Sequence, residues 1–248
     1  AMDVAEGEFD LPPFPDTAAR VQQCVNDANS DAQQLAKIVA TEPALTARLM
    51  RMANSAMLRR GPFEVTDIPS AIARLGMDMV LNVAVSYAAR ETFKVPPGSL
   101  GLKDIEGLRR ANVRVAALAF LLARCTKSRL QPDEAMLAGL LHSVGKLYIY
   151  TRANDHPEVF SDRETLMKLV GDWHSSVAAA IVESWHFPDN IVHAVDEQEV
   201  RKRDRRVSPN LSDLLFLANI LSRAGLNAAA HLGDLDSLAR LGLSAERL

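Results

Sequence analysis

The stretch "PALTARLMRMANSA", residues 43–56, has the apolar spacing that decides the fold class. Pro43 suits the first turn of a helix, where a backbone N–H has no helical partner to lose. Four apolar side chains then recur every three or four residues, which places them on one helical face: Leu45, Leu49, Met52 and Ala56. The stretch therefore predicts an amphipathic helix whose apolar stripe packs against a core.

Helical periodicity continues on both sides of this stretch. Upstream, it predicts one helix around Cys24 and another around Leu35, with Ser30 as the N-cap of the second. No segment shows the alternation of apolar and polar residues that is typical of strands, and aromatic residues make up only 5% of the chain. We predict an all-α fold, a bundle of helices. Its later helices are expected at 77–93, 104–126, around His142, and at 161–171, 172–185, 188–200 and 209–224.

The clearest interruption is "VPPGSLG", residues 95–101, because two prolines and two glycines do not continue a helix. A chain of 248 residues can form one large domain or two small ones. We therefore expect an N-terminal helical lobe at 10–94, the loop at 95–101 and a second helical lobe at 102–225. A tail with one short helix is expected at 226–248.

Composition limits the partners and the compartment. The net charge of −3 predicts no general attraction to nucleic acid. The acidic start lacks the basic and apolar pattern of a signal peptide, and no apolar run approaches the roughly 20 residues that span a bilayer. Cys24 and Cys125 are far apart, which favours two reduced core thiols over a disulfide. We expect a cytoplasmic protein with no membrane partner.

One local feature departs from the acidic balance. The run "RKRDRR", residues 201–206, carries five positive charges and one negative charge. A solvated linker between helices is the simpler interpretation, and contact with nucleic acid or an acidic partner is the alternative. Because no aromatic residues are interleaved with the charges, sequence-specific recognition of nucleic acid is not predicted.

A second stretch, "GLLHSVGKL" at 139–147, raises the question of a metal centre. A hydrolytic metal site needs three or more converging ligands, usually imidazoles with a carboxylate. No two of the six histidines are three or four residues apart, so no single helix carries a ligand pair. His142 lies among apolar residues and is expected to be a neutral core imidazole. The alternatives are a small-molecule pocket with Lys146 as an anion contact, or service as a metal ligand.

Three other positions are candidates for binding. Arg48, Arg51 and Asn54 lie within two turns of the helix at 43–56. A solvated face explains the arginines equally well, and Asn54 suits a left-handed helix cap. His174 begins an apolar segment, for which we expect a structural role.

These motifs together resemble those of the HDOD domain family, regulatory relatives of the HD-type metal-dependent phosphohydrolases. The resemblance covers about residues 10–222. It is carried by these segments: "LPPFP" at 11–15, "ATEPALTARLMRMANSA" at 40–56, "VTDIPSAIARLGMDMVLNVAVS" at 65–86, "GLLHSVGKL" at 139–147 and "GDWHSSVAAAIVESWHFPDNIVHAV" at 171–195. It implies an N-terminal helical lobe packed on a degenerate HD-type helical lobe.

The resemblance also implies where a metal would bind, and most of those positions hold other residues. The first histidine of the hydrolases falls on Ala111, the aspartate of the His-Asp doublet falls on Ser143, and the late aspartate falls on Asn219. Where relatives often carry paired histidines, this chain has Gln198 and Glu199. Of the implied ligands only His142 and His174 persist, so we expect no bound metal and no cofactor.

The family further implies a function. We expect a non-enzymatic regulatory module of bacterial signal transduction that binds a protein partner or a small ligand. Its partners would belong to two-component or cyclic-dinucleotide signalling. The candidate binding residues are Arg48, Arg51, Asn54, His142, Lys146 and His174. Two alternatives stay open: a residual metal-dependent phosphohydrolase that adds Asp172 or Glu183 to the two histidines, and nucleic-acid contact through residues 201–206.

Overall fold

A computed structural model describes residues 11–58, 63–99, 102–126, 128–157, 162–224 and 235–243. Within these ranges the chain forms twelve α-helices and no strand. The predicted all-α fold is therefore confirmed. His231 and most of the predicted tail lie outside the described residues, and the last helix falls within the part of the tail that is described.

The N-terminal helices are α1 (Asp16–Asn26), α2 (Ala32–Ala40), α3 (Pro43–Ala53), α4 (Ile68–Leu75) and α5 (Met77–Thr92). The C-terminal helices are α6 (Leu102–Cys125), α7 (Pro132–Leu141), α8 (Val144–Asp155), α9 (Arg163–Ser184), α10 (Asp189–Asp196), α11 (Leu211–Ala224) and α12 (Asp236–Leu241).

Helix starts follow local chemistry, and one predicted cap is wrong. Pro43 opens α3 in its first turn, as predicted. The N-cap of α2 is Asp31 and not Ser30, because the Asp31 carboxylate accepts hydrogen bonds from the backbone N–H groups of Gln33 and Gln34. The Gln34 side chain accepts from the Asp31 N–H in return, which completes a capping box.

The stripe predicted from residues 43–56 is only partly correct. Leu45, Leu49 and Ala53 are the buried residues of α3. Ala56 is exposed, because the helix ends at Ala53 and the chain turns away before that residue.

One predicted helix boundary is also wrong. The sequence predicted a break between residues 171 and 172, and α9 instead runs without interruption from Arg163 to Ser184. Gly171 lies on an exposed face of α9, where a missing side chain leaves the helical hydrogen bonds intact. Asp162 is the N-cap of the helix, and its carboxylate accepts hydrogen bonds from the N–H groups of Glu164 and Thr165. His174 therefore lies near the middle of a long helix and does not start one.

One large buried cluster extends through both the N-terminal and the C-terminal helices. Helix α5 packs against α1 on one side and against α7 on the other. Phe14, just before α1, stacks on Trp185 at 4.8 Å between ring centroids. The indole N–H of Trp185 donates to the carbonyl oxygen of Pro12 over 2.8 Å. The two sets of helices thus share a core, and the division into two lobes at 95–101 stays a prediction.

Helix α6 is central to the C-terminal helices, since it packs against both α7 and α11. The sharpest contacts in this region involve glycines. A Cβ atom at Gly139 of α7 would lie 2.5 Å from the Cα of Ala116 in α6. A Cβ atom at Gly145 of α8 would overlap the carbonyl oxygen of His174 and lie 2.7 Å from the Ala178 nitrogen in α9. Both helix pairs therefore approach more closely than any residue with a side chain allows.

The predictions about the cysteines and about membrane-spanning helices can be compared with the structure. Cys24 and Cys125 are both free thiols, as predicted, but only Cys24 is in the core, since Cys125 is exposed. No single helix in the described ranges is both long and apolar enough to cross a membrane. One pair, α4 with α5, meets that length and composition test when the two are taken together, with a bend of 105° between them.

Replacing Gly145 with alanine should destabilise the protein by about 3 kcal/mol or more, because backbone atoms of α9 leave no room for a methyl group. Gly171→Ala is the matched control: its Cβ would meet nothing within 4 Å, and alanine has the higher helix propensity. That variant should gain about 0.5–1 kcal/mol. Urea unfolding followed by circular dichroism measures both, and equal effects of the two substitutions would contradict the packing described.

Candidate functional site

His142 and Ser143 form a two-residue break between α7 and α8. The sequence predicted that His142 lies within a helix. His142 is instead the C-cap of α7. Its Nδ1 lies 2.6 Å from the carbonyl oxygen of Gly139, and because that oxygen can only accept, Nδ1 carries the proton. The Ser143 hydroxyl donates to Oδ1 of Asn112 in α6 over 2.6 Å. The break is thus fastened on both sides by buried hydrogen bonds.

The imidazole of His142 is uncharged at neutral pH. Burial lowers the pKa of His142 to about 3, and the positive charges of Lys146 and Arg223 act in the same direction. The hydrogen bond to Gly139 favours the protonated ring but is outweighed. The expectation of a neutral, buried imidazole is met by this environment.

Four side chains next to His142 form a charged cluster, which we call the Glu199 cluster: His174, Glu199, Lys146 and Arg223. Oε1 of Glu199 lies 3.0 Å from Nη2 of Arg223, 3.3 Å from Nε2 of His174 and 4.0 Å from Nζ of Lys146. The hydrogen bond from His174, together with Arg223 and Lys146, lowers the pKa of Glu199 to about 2. One carboxylate thus holds together residues from α8, α9 and α11.

Burial lowers the pKa of two of the three basic groups around Glu199, which are Lys146 and His174. Burial, reinforced by the charge of Arg223, lowers the pKa of Lys146, although Glu199 acts against it. Burial also lowers the pKa of His174, against the hydrogen bond to Glu199. The ring of His174 is 4% exposed, so it is as enclosed as His142.

This arrangement does not fit a divalent metal ion. Its one carboxylate is already hydrogen-bonded to His174 and Arg223, and two cationic side chains stand where a dication would need negative charge. In the part of the chain that the structure describes, no three His, Cys, Asp or Glu residues are grouped closely enough to hold a metal. Asp172 and Glu183, the carboxylates proposed for a residual hydrolase, are exposed on α9 and do not join the cluster.

The other positions implied by the family resemblance hold structural residues. Gln198 is 1% exposed, and its Nε2 donates to the carbonyl oxygens of His142 and Val195 over 2.8 Å each. Asn219 in α11 is buried, with an Nδ2 that has no hydrogen-bond partner. Ala111 lies on α6 beside Asn112, which contributes the polar atom to this region.

The structure separates the remaining predicted residues from this cluster. Asn54 has φ −94°, so it is not the left-handed cap that the sequence suggested. Its side-chain amide forms two hydrogen bonds of 2.8 Å with the backbone N–H and C=O of Val65. Arg51 is exposed. Arg48 is half-buried, with Nη2 at 3.4 Å from the Ser86 hydroxyl, and burial and the charges of Arg90 and Arg51 lower its pKa.

Sequence reasoning missed three residues that matter here: Asn112, Arg223 and the role of Glu199. The only signal for Glu199 was that Gln198 and Glu199 replace the histidine pair of relatives. Nothing in the local sequence marks Asn112 or Arg223, because each acts through a partner on another helix.

Three arginines of the basic run at 201–206 pair with carboxylates, and one of the three has a buried side chain. The Arg203 side chain is 4% exposed and pairs with Glu197 at 2.8 Å and with the fully buried Asp213 at 3.6 Å. Arg205 pairs with Asp236, and Arg206 with Asp204. The second oxygen of Asp213 lies 3.3 Å from Arg240 of α12. The run links α10 to α11 and most of its residues are exposed, as predicted for a solvated linker, and the side chain of Arg203 is the buried exception.

Comparison with known proteins found one matching family model and several similar solved structures. The HDOD domain model matches residues 11–200. A "putative metal-dependent phosphohydrolase" from Shewanella amazonensis SB2B has a similar structure, with 27% identity and a TM-score of 0.77 over 93% of this chain and 84% of that one. A "putative signal transduction protein" from Marinobacter aquaeolei VT8 shares 26% identity over 96% of this chain and 55% of that one, with a TM-score of 0.68.

A third structure supports the fold alone. An HDOD domain protein of unknown function from Geobacter sulfurreducens has 21% identity and a TM-score of 0.71, covering 97% of this chain and 87% of that one. No curated protein matches the sequence.

Asn54→Ala should lower the free energy of unfolding by about 2 kcal/mol, because it leaves both polar backbone groups of the buried Val65 without partners. Arg51→Ala, on the exposed face of the same helix, should stay within about 0.5 kcal/mol of wild type. Chemical denaturation measures both values. Loss of stability in Arg51→Ala alone would contradict the assignment.

His142 should also make the protein sensitive to acid. Its pKa in the folded state is about 3, below the ordinary 6.5, so its contribution to stability is complete above pH 6.5 and is lost as the pH falls. Each pH unit of that loss is worth about 1.4 kcal/mol, or about 2 kcal/mol by pH 5. Wild type should therefore lose about 2 kcal/mol more than His142→Asn between pH 7 and pH 5 in urea unfolding. An equal loss in both proteins would contradict this.

Proposed function

Because the chain belongs to the HDOD domain family, we propose that it is a non-enzymatic regulatory module of signal transduction that binds a protein partner or a small ligand. The observation that carries this proposal is the Glu199 cluster, in which Lys146 and Arg223 surround the one carboxylate near His142 and His174. Hydrolysis by HD-type relatives requires metal-bound water, and this charge pattern repels the metal.

The small number of atoms left to ligate a metal supports the same proposal. Because Nδ1 of His142 carries a proton, only Nε2 of that ring could bind a metal. Nε2 of His174 is engaged by Glu199. Two imidazoles with one neutralised carboxylate would hold a divalent ion weakly. The helices around them are nevertheless held by buried hydrogen bonds, so the frame is suited to binding without catalysis.

The similar protein from Marinobacter aquaeolei supports a signalling role by its name, and the one from Shewanella amazonensis supports the hydrolase alternative by its name. We prefer the former, since Asp172 and Glu183 are exposed away from the two histidines. Contact with nucleic acid through residues 201–206 is not favoured, because Arg203, Arg205 and Arg206 already pair with carboxylates.

Purified protein should carry no stoichiometric manganese, iron or zinc, and should not hydrolyse bis(p-nitrophenyl) phosphate when manganese is added, because the cationic cluster excludes the metal. Elemental analysis and absorbance at neutral pH measure the two properties. His142→Ala and the exposed His193→Ala are the matched variants, and both should equal wild type. One metal per chain with turnover that His142→Ala abolishes and His193→Ala retains would overturn the proposal.

A further inference from the structure

A cavity of about 390 Å³ lies between the N-terminal and the C-terminal helices, separate from the Glu199 cluster. Four arginines line it: Arg48 on α3, Arg90 on α5, and Arg109 and Arg110 on α6. Val113, Leu140 and Leu147 form an apolar wall. We call this cavity the arginine groove. Its volume is within the range of small-molecule sites.

The positive charge of the arginine groove is not neutralised by the protein. Within the described ranges, none of its four guanidinium groups lies within 4.0 Å of a carboxylate. Glu91 and Glu106 act on Arg109 only from beyond that distance. This contrasts with the run at 201–206, where most arginines have a partner. Four cations converging on one cavity favour an anion there.

Arg109, which lines the groove, is held in place by backbone carbonyl groups. Its Nη2 donates to the carbonyl oxygens of Arg90 and Phe93 over 2.9 and 3.1 Å, which holds the guanidinium against the end of α5. Its Nε is buried and has no hydrogen-bond partner. The protein therefore does not use the full hydrogen-bonding capacity of this guanidinium group.

Arg48 is similarly placed. Its one side-chain hydrogen bond, to Ser86, is long at 3.4 Å, so most of its five N–H donors stay available. Burial lowers the pKa of both Arg48 and Arg109, and the neighbouring Arg90 acts on each in the same direction. The arginines of the groove therefore repel one another, and a bound anion would reduce that repulsion.

We propose that the arginine groove binds a small molecule that carries two or more phosphate charges next to an apolar group. The planar guanidinium group matches phosphate oxygens in pairs, and the wall of Val113, Leu140 and Leu147 accommodates the apolar part. The inference rests on the proposed role as a binding module and names the chemical class of its ligand. Of the residues suggested by sequence alone, only Arg48 lies in this groove.

The groove is also connected to the interior. Asn112 lines it and at the same time accepts the hydrogen bond from Ser143. A ligand in the groove would therefore contact α6 directly beside the break between α7 and α8, and would bridge α3 and α5 to α6.

Isothermal titration calorimetry with inorganic pyrophosphate, in EDTA and without other phosphate, tests the charge requirement. Wild type should bind with a Kd below about 1 mM. Arg48→Gln and Arg109→Gln should each weaken binding by about ten-fold or more, since each removes charge-assisted hydrogen bonds. Arg124→Gln is the matched control: it makes the same charge change on α6, and Arg124 is an exposed residue that does not line the groove.

A second pair of measurements separates a local effect from misfolding and tests the apolar wall. The double variant Arg90→Gln/Arg110→Gln changes two exposed side chains, and it should keep the wild-type melting temperature while losing pyrophosphate binding. In the same EDTA buffer, 1-naphthyl phosphate should bind wild type more tightly than inorganic phosphate does, because its ring meets the apolar wall.

The proposal is overturned if pyrophosphate fails to bind wild type, or if the groove variants bind it as tightly as Arg124→Gln. Binding of a phosphoserine peptide without binding of pyrophosphate would also overturn it, in favour of a protein partner. Equal affinity for naphthyl phosphate and inorganic phosphate would remove the apolar requirement. Since no metal is present in these titrations, the outcome is independent of the metal and turnover measurements that test the absence of catalysis.

Discussion

The close approach of helix backbones at Gly139 and Gly145 constrains everything around them. These two glycines lie three residues before and three residues after His142, so they press α7 onto α6 and α8 onto α9 at the place where the chain breaks. The break has room for only two residues, His142 and Ser143, and both turn inward to hydrogen bonds on neighbouring backbone and side-chain atoms. Backbone contacts at the two glycines thus fix how the C-terminal helices pack against one another.

Within that frame, the charges of the Glu199 cluster are opposite in sign to those of a metal centre. A metal centre holds imidazoles and carboxylates together through a shared cation. Here the shared group is an anion, Glu199, and the cations are the side chains of Lys146 and Arg223. Burial keeps His142 neutral, so it contributes shape and a hydrogen bond but no charge. The polarity of the site is reversed while the helices that surround it stay in place.

Most of the fold could be predicted from sequence, because helical periodicity and proline placement are local properties. The errors arose where contacts with other parts of the chain outweighed the local preference of a residue. A break was predicted between residues 171 and 172, yet Gly171 costs little on an exposed face of a continuous helix. Asn54 was assigned to a backbone conformation, but its role is to pair with Val65 eleven residues later. The arginine groove could not be predicted, since Arg48, Arg90 and Arg109 come from three helices that only the packed structure brings together.

The buried Asp213 between Arg203 and Arg240 has a consequence for how this protein can change over time. A buried charge that loses its partner destabilises a fold by about 3–5 kcal/mol, whereas an apolar replacement of the whole group can be neutral. The side chains of Asp213, Arg203 and Arg240 are 0%, 4% and 5% exposed, so solvent cannot take the place of a lost partner. Substitution of Asp213 alone would remove the carboxylate beside Arg240, whereas Arg203 would keep Glu197, so Asp213 and Arg240 depend on each other most. Among relatives, these positions are expected to covary.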